Sequence, residues 1–156
     1  MNFEQADALN EAIRTIGTRH RALAIAALAP FGIHPGHKLL LLELERGPRT
    51  QSQLAVASGY EPPTITMSVR QLEAAGYVDR TPSTTDGRAM MVELTAAGRD
   101  LLPKLRSAWT EVAVQALADV DPGTIKQVAD VLVELAASLA RVEAPDLPRW
   151  SGPPPE

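Results

Sequence analysis

The chain has 156 residues, 45% hydrophobic and 4% aromatic, a composition that suits one compact domain with a core of Leu, Ala and Val. It contains no cysteine, which excludes disulfides, thiol redox chemistry and thiolate metal sites. No apolar run reaches the length of a membrane-spanning helix, and the acidic N-terminus lacks a signal-peptide pattern. We therefore expect a cytoplasmic protein.

The net charge of −4 is distributed unevenly along the chain. Residues 107–156 carry three basic and eight acidic side chains, whereas residues 36–98 carry six basic and seven acidic ones. Phosphate contacts by Lys and Arg supply most of the affinity of a protein for nucleic acid. Any DNA binding by the near-neutral segment 36–98 is therefore expected to be modest or strongly salt-dependent.

Two helices are predicted before residue 47. Apolar residues recur at three- and four-residue steps from Phe3 to Leu28, which indicates one apolar stripe on a long helix that also includes His20. The segment from His37 to Arg46 is rich in leucine, so we expect a buried helix there.

Residues 50–76 predict two short helices joined by a tight turn. Thr50 and Gln53 match a capping box at the first helix, and Gly59 suits the turn that follows. Pro62 and Pro63 are typical of the start of the second helix, which we expect to end at Gly76.

A β-hairpin is predicted next. Val78 to Arg80 forms its first strand, and Met90 to Leu94 alternates apolar and polar residues as its second. The link from Thr81 to Ala89 has the composition of a loop and contains Asp86-Gly87-Arg88.

The C-terminal part predicts two more helices and a tail. Thr95 is expected to cap a long helix that Pro103 bends or loosens, and Asp121-Pro122 is expected to begin the last helix. Residues 144–156 contain five prolines, which indicates a disordered tail.

The order helix, turn, helix, hairpin describes a winged helix-turn-helix, which places a helix in a DNA major groove. The predicted fold is thus mainly α with a small β-wing, combined with a helical dimerisation region. We expect an N-terminal dimerisation helix in residues 1–35, a DNA-binding domain in 36–98 and dimerisation helices in 99–143. The first helix and the last two helices carry more apolar surface than this domain can cover, so a second copy is the expected partner.

The local motifs resemble the multiple-antibiotic-resistance regulator (MarR) family over about residues 3 to 143. The similarity lies in Thr64-Ile65-Thr66, in Leu72-Glu73-Ala74-Ala75-Gly76-Tyr77-Val78, and in the spacing of Arg80, Pro82, Asp86, Arg88, Val92, Leu94, Thr95 and Gly98. The resemblance implies a homodimeric transcriptional regulator, expected to be a repressor, that binds pseudo-palindromic double-stranded DNA. Such regulators are often released by small phenolic or other lipophilic ligands.

The resemblance also implies the residues that contact DNA: Gln51, Ser52, Pro63, Thr64, Thr66, Met67, Arg70, Asp86 and Arg88. Arg70 is the candidate for a bidentate contact to guanine, and Gln51 and Ser52 suit a phosphate at a helix N-terminus. Arg88 would enter the minor groove, held by Asp86. Met67 departs from the family pattern, because many relatives carry Lys or Arg there.

His20 and His37 each have two interpretations, a ligand-pocket residue or a hydrogen-bonded core or interface residue. Trp109 has two interpretations as well, and we favour part of a dimer core over a ligand platform. His34 and His37 alone do not make a metal site, since no cysteine or carboxylate cluster completes it. No cofactor is expected.

The sequence also bears on two other classes of function, an enzyme and a protein-interaction module. No nucleophile elbow, phosphate loop or paired carboxylates occur in a recognisable frame, so an enzyme is not predicted. The near-neutral segment and the loop without a basic residue from Thr81 to Gly87 motivate the alternative, a winged-helix protein-interaction module with weak DNA affinity.

Overall fold

Six α-helices and three short strands make up the described chain, residues 1–83 and 90–142 of a computed structural model. In chain order the elements are α1 (Phe3–Leu28), a 3₁₀ turn (Ala29–Phe31), α2 (Pro35–Leu44), β1 (Arg49–Thr50), α3 (Gln51–Ser58), α4 (Pro62–Ala74), β2 (Val78–Pro82), β3 (Met90–Leu94), α5 (Ala96–Ala116) and α6 (Ile125–Ala140). The prediction of a mainly α fold with a small β-wing is confirmed. The tip of the hairpin and the predicted tail, residues 144–156, lie outside the described residues.

The chain divides into two compact units, one from Met1 to Ala116 and one from Leu117 onward. The first unit contains α1 to α5 and the sheet, and it holds a single cluster of buried apolar side chains. Its fully buried members come from α1, α2, α3, α4, both hairpin strands and α5, namely Leu28, Leu40, Leu41, Leu54, Ile65, Val69, Leu72, Val78, Val92 and Leu105. In the second unit, α6 has no buried residue.

The predicted turn between α3 and α4 is present, and local hydrogen bonds set its limits. Thr50 Oγ1 accepts from the Gln53 N–H at 3.2 Å, and Gln53 Oε1 accepts from the Thr50 N–H at 2.9 Å, so the capping box forms. Gly59 ends α3 at φ 70°, a left-handed conformation that glycine adopts without strain. The two helices therefore cross over a turn that their own sequence specifies.

The sheet is antiparallel in the order β1-β3-β2, and it is larger than predicted. β2 continues past Arg80 because Thr81 pairs with Met91 and Pro82 with Met90. β1 was not predicted: its two residues, Arg49 and Thr50, pair with Val92 and Met91. A strand of two residues is too short to show an alternation of apolar and polar side chains in the sequence. It forms here because the edge of β3 is free to pair with it.

Two predicted helix starts were wrong. α2 begins at Pro35 rather than His37, because His34 Nδ1 accepts the Gly36 N–H at 3.1 Å and caps the helix two residues earlier. α6 begins at Ile125 rather than at Asp121-Pro122. The Asp121 carbonyl accepts from the N–H and from the hydroxyl of Thr124, at 2.9 and 2.8 Å, and this holds residues 122–124 in a turn.

Helix α5 runs through Pro103 without interruption, although Pro103 cannot donate a backbone hydrogen bond. Its apolar side contacts the core through Leu101, Leu102 and Leu105. An ion pair between Arg106 and Glu45, at 2.6 Å, ties the middle of α5 to the end of α2. The helix is thus held on both sides of the proline.

Within the described ranges, no single helix is long and apolar enough to cross a membrane. The bent pair formed by residues 3–31 and 35–44 meets that test by length and composition alone.

The hairpin and α5 are joined by a close junction at Thr95. The Thr95 hydroxyl donates to the Gly76 carbonyl at 2.7 Å, and its oxygen accepts from the Gly98 N–H at 3.0 Å, which caps α5 as predicted. The Thr95 N–H donates to the Tyr77 carbonyl at 3.1 Å. A Cβ at Gly98 would lie 2.1 Å from that carbonyl oxygen, so only glycine fits.

Replacing Gly98 with alanine is expected to lower the free energy of unfolding by about 2 kcal/mol or more, because backbone atoms must move to admit the methyl group. Ala97→Ser, at the exposed neighbouring position, should change it by about 0.5 kcal/mol or less. Denaturant unfolding of the three proteins measures both values. Equal stability of Gly98→Ala and the parent chain would contradict the assigned junction.

Candidate nucleic-acid interface and adjoining cavity

Helix α4 has one buried and one exposed face. Ile65, Val69 and Leu72 are completely or almost completely buried, and they repeat at helical spacing. The exposed positions include Pro63, Thr64, Met67 and Arg70. Pro63, Met67 and Arg70 are separated by four and three residues, so they lie along one stripe of the helix surface. We call these three residues the outer stripe.

The start of α3 is connected to α4 by a side-chain hydrogen bond. The Thr66 hydroxyl lies 2.9 Å from Gln51 Oε1 and 3.1 Å from the Pro62 carbonyl, so its single proton is donated to one of these oxygens or shared between them. The bond to Gln51 engages the amide oxygen and leaves the amide N–H groups as donors. Ser52 lies exposed in the first turn of α3. The predicted contacts Gln51 and Thr66 are therefore also partners of each other.

Arg70 is the cation of the outer stripe, and in the described part of the chain no carboxylate forms an ion pair with it. Its neighbour Glu73 instead pairs with Arg80 of β2 at 2.6 Å. The hydrogen bond from Arg80 lowers the pKa of Glu73, and the same bond raises the pKa of Arg80. The Glu73–Arg80 pair joins the end of α4 to the hairpin and leaves the Arg70 guanidinium available.

The hairpin contributes its two strands to the structure, but the predicted contacts Asp86 and Arg88 lie outside the described residues. Val92 and Leu94 face the core, whereas Met90 at the start of β3 is 39% exposed. Nothing in the strands themselves adds a further basic side chain beyond Arg80, which is already paired.

Beside α4, a cavity of about 660 Å³ lies among α1, α2, α4 and α5. Trp109, Tyr60 and Ile25 supply apolar surface, and Thr64 and Ser68 of α4 form part of its wall. Arg21, His20 and His34 also line it, and no carboxylate is among its described lining residues. The cavity can hold a small molecule with an aromatic or apolar body.

Trp109 forms one side of this cavity, where the sequence alone had suggested a dimer core. The His20 ring meets the Trp109 ring edge-on, with centroids 5.7 Å apart. The Lys38 ammonium lies 3.5 Å from the ring centroid, a cation–π contact, and burial lowers the pKa of Lys38. Tyr60, Ser68 and Arg21 were not predicted as cavity residues, because nothing in their spacing distinguishes them from ordinary helix residues.

His37 lies behind the cavity wall and does not line the cavity. Its Nε2 lies 3.0 Å from Gln71 Oε1 of α4, and its Nδ1 is 3.5 Å from the His34 N–H. Because the backbone N–H can only donate, Nδ1 accepts and Nε2 carries the proton. The His34 and His37 rings are 3.5 Å apart, and His34 lines the cavity. A chain of contacts thus connects the cavity with α4.

Burial, and then the neighbouring His34, lowers the pKa of His37 to about 4. Burial also lowers the pKa of His34. Both rings are therefore neutral in the folded protein near pH 7. In the described residues, no group of three or more His, Cys, Asp or Glu side chains is placed to hold a metal ion.

Comparison with known proteins supports a transcriptional-regulator fold. A probable transcriptional regulator from Pseudomonas aeruginosa has a crystal structure that superposes with a TM-score of 0.72 at 29% identity, over 84% of this chain and 98% of that chain. A MarR transcriptional regulator from Methanosarcina mazei Go1 superposes with a TM-score of 0.71 at 21% identity, over 87% and 99% of the two chains. The winged-helix class of transcriptional regulators is therefore the class that this fold defines.

Two sequence comparisons agree with the fold. Residues 31–89 match the model of the MarR family. A helix-turn-helix transcriptional regulator of Mycobacterium leprae is 30% identical over 92 residues, which are 57% of this chain and 64% of that relative's length. Together with the structural similarity, these matches show that the chain is similar to the MarR family, as its sequence motifs indicated.

The low pKa of His37 predicts a dependence of stability on pH. The unfolded chain binds a proton at this residue near pH 6.5, whereas the folded chain does not until about pH 4, so the free energy of unfolding falls as the pH is lowered through this window. The loss from His37 alone can reach about 3 kcal/mol by pH 4. Denaturant unfolding between pH 6.5 and 5 should detect it before the carboxylates titrate.

His37→Gln removes the titrating ring, so its free energy of unfolding should fall less steeply over the same pH range, whatever its value at pH 7. Asp130→Asn, a control change at an exposed position of α6 far along the chain from His37, should leave the slope between pH 6.5 and 5 unaltered. Parallel pH profiles for His37→Gln and the parent chain would show that His37 is not held neutral by the fold.

Proposed function

We propose that the protein is a homodimeric, sequence-specific DNA-binding regulator that represses transcription from a pseudo-palindromic operator. The observation that carries the proposal is the outer stripe of α4, on a helix whose opposite face is packed in the core. Its arginine, Arg70, forms no ion pair with any residue in the described part of the chain. A helix held in this way at the surface of a winged-helix fold can enter a major groove without rearrangement. The match of residues 31–89 to the MarR family model supports the same function.

Each predicted residue has a proposed role in this complex. Arg70 donates to a guanine edge, and Pro63, Thr64 and Met67 lie against neighbouring bases and backbone. Ser52 and the amide N–H groups of Gln51 donate to a phosphate at the start of α3. Thr66 holds Gln51 in place through their 2.9 Å hydrogen bond and lies close to the DNA backbone. Arg88, held by Asp86, enters the minor groove.

Dimer formation is supported by unpartnered apolar surface on the first and last helices. On α1, Phe3 is 81% exposed and Ile16 is 51% exposed. On α6, Val131 and Leu139 are 55% and 53% exposed, along a helix with a continuous apolar stripe. Such surface is rarely left in water, and a second copy of the chain offers matching surface. A twofold dimer would present two α4 helices about 34 Å apart to successive major grooves.

The cavity beside α4 supports a role for a small lipophilic or phenolic effector. Thr64 and Ser68 belong both to the cavity wall and to α4, and His34 leads through His37 to Gln71 on the same helix. A ligand that fills the cavity better in one position of α4 than in another shifts the spacing of the two recognition helices. Its effect is limited by its differential affinity for the two states.

The alternative function, a protein-interaction module with weak DNA affinity, is motivated by the six basic and seven acidic side chains of residues 36–98. Retention on heparin at low salt distinguishes the two. A regulator with Arg70 and Arg88 available should be retained and should elute as salt rises. A chain that passes unretained at low salt would favour the interaction module.

Arg70→Ala is expected to weaken specific DNA binding by roughly tenfold or more, because a bidentate contact to guanine contributes about 1–3 kcal/mol and occurs in both half-sites. Fluorescence anisotropy with DNA from upstream of the protein's own gene, at two salt concentrations, measures the effect. Lys104→Ala, which removes one positive charge from exposed α5, is the control and should retain specific binding. Unchanged affinity in Arg70→Ala would contradict the proposed contact.

Effector binding can be followed through Trp109, since the chain has only two tryptophans. In a Trp150→Phe background, a small phenol that enters the cavity should change Trp109 fluorescence saturably and weaken DNA binding over the same concentration range. His20→Ala should weaken the response, because its ring contacts Trp109 at the cavity. Saturable quenching without any loss of DNA affinity would separate the cavity from regulation.

A further inference from the structure

Met67 is the middle residue of the outer stripe, between Pro63 and Arg70, and it is a large apolar side chain on the exposed face of α4. It is 63% exposed, although Ile65 and Val69 on either side are completely buried. The alternation of buried and exposed positions leaves no freedom for Met67 to turn into the core, since the helix face opposite to it is already packed. Met67 is therefore presented outward by the fold.

The surroundings of Met67 are suited to a base edge. Arg70, one turn further along the outer stripe, forms no ion pair within the described residues, and the neighbouring Glu73 is engaged with Arg80. Thr66, the polar neighbour of Met67, directs its hydroxyl to Gln51 and Pro62. The centre of the exposed face thus combines one thioether with one guanidinium.

In the major groove of B-DNA, the thymine C5 methyl group is the apolar feature that base edges offer. Every other edge presents donors or acceptors, which would lose their water against a thioether without gaining a hydrogen bond. Met67 and Arg70 are three residues apart, about 4.5 Å along the helix axis, compared with about 3.4 Å between base pairs. The two side chains therefore reach base pairs one or two steps apart.

We propose that Met67 is a specificity-determining residue that selects a thymine, through its C5 methyl group, one or two base pairs from the guanine contacted by Arg70. The proposal rests on the proposed function, because it requires α4 to enter a major groove. It gives each half-site a guanine and a thymine separated by one or two base-pair steps. A lysine or arginine at this position would instead favour a phosphate or a guanine.

The test begins with selection of binding sites from random duplex DNA by the unaltered protein. The enriched half-site should contain the guanine and the thymine at the stated spacing. That thymine is then replaced with deoxyuracil, which removes only the methyl group, and affinity is measured by fluorescence anisotropy. The unaltered protein should lose about fourfold in affinity per half-site, or about fifteenfold when both half-sites are changed.

Met67→Ala completes the cycle. It should bind the thymine site more weakly than the unaltered protein and should not distinguish thymine from deoxyuracil. Met90→Ala, a change of another part-exposed methionine that lies in β3, should keep the full deoxyuracil penalty. Circular dichroism and thermal unfolding check that Met67→Ala is folded, which its 63% exposure leads us to expect.

The possible outcomes test the role of Met67 separately from the proposed regulator function. A deoxyuracil penalty that disappears in Met67→Ala and persists in Met90→Ala supports the assignment. An enriched site without that thymine, or a penalty that persists in Met67→Ala, overturns the role of Met67 and leaves the regulator intact. Failure to enrich any sequence overturns the inference and the proposed function together.

Discussion

The packing of the inner face of α4 is the constraint on which the rest of the structure depends. Ile65, Val69 and Leu72 are fixed in the core, so the direction of every other side chain on that helix follows from its position in the sequence. The Glu73–Arg80 pair holds the end of the helix to the hairpin, and the Thr66–Gln51 bond holds its start to α3. Because these contacts involve the inner face and the two ends, the outer stripe remains available for a partner.

The same helix lines the cavity and carries the outer stripe. Thr64 is exposed on α4 and also forms part of the cavity wall. On the same helix, Gln71 accepts a hydrogen bond from His37, whose ring packs against the cavity residue His34. The proposed coupling between effector binding and DNA binding therefore runs through this one helix. The neutral, fully hydrogen-bonded His37 keeps this connection free of charge near neutral pH.

Most of the fold follows from the sequence, because its elements are specified locally. Thr50 with Gln53, Gly59, and the pair Pro62-Pro63 each set a boundary through contacts within a few residues, and all were predictable. β1 could not be predicted, since it depends on the edge of β3. The early start of α2 was not predicted either, because it requires His34 to act as a cap, which is uncommon. The exposed positions of α4 follow from its period, whereas the cavity is built from four distant segments and appears only when they pack together.

The central claim is that two copies of α4 lie in successive major grooves of one DNA duplex. The chain has no cysteine, so Glu61→Cys, at an exposed position that makes no side-chain cap before α4, allows a DNA-cleaving iron chelate to be attached at one place. On a selected binding site, the account predicts two symmetric clusters of cleavage in the major groove, about 10 base pairs apart. A single cluster, or cleavage spread evenly along the duplex, would contradict it.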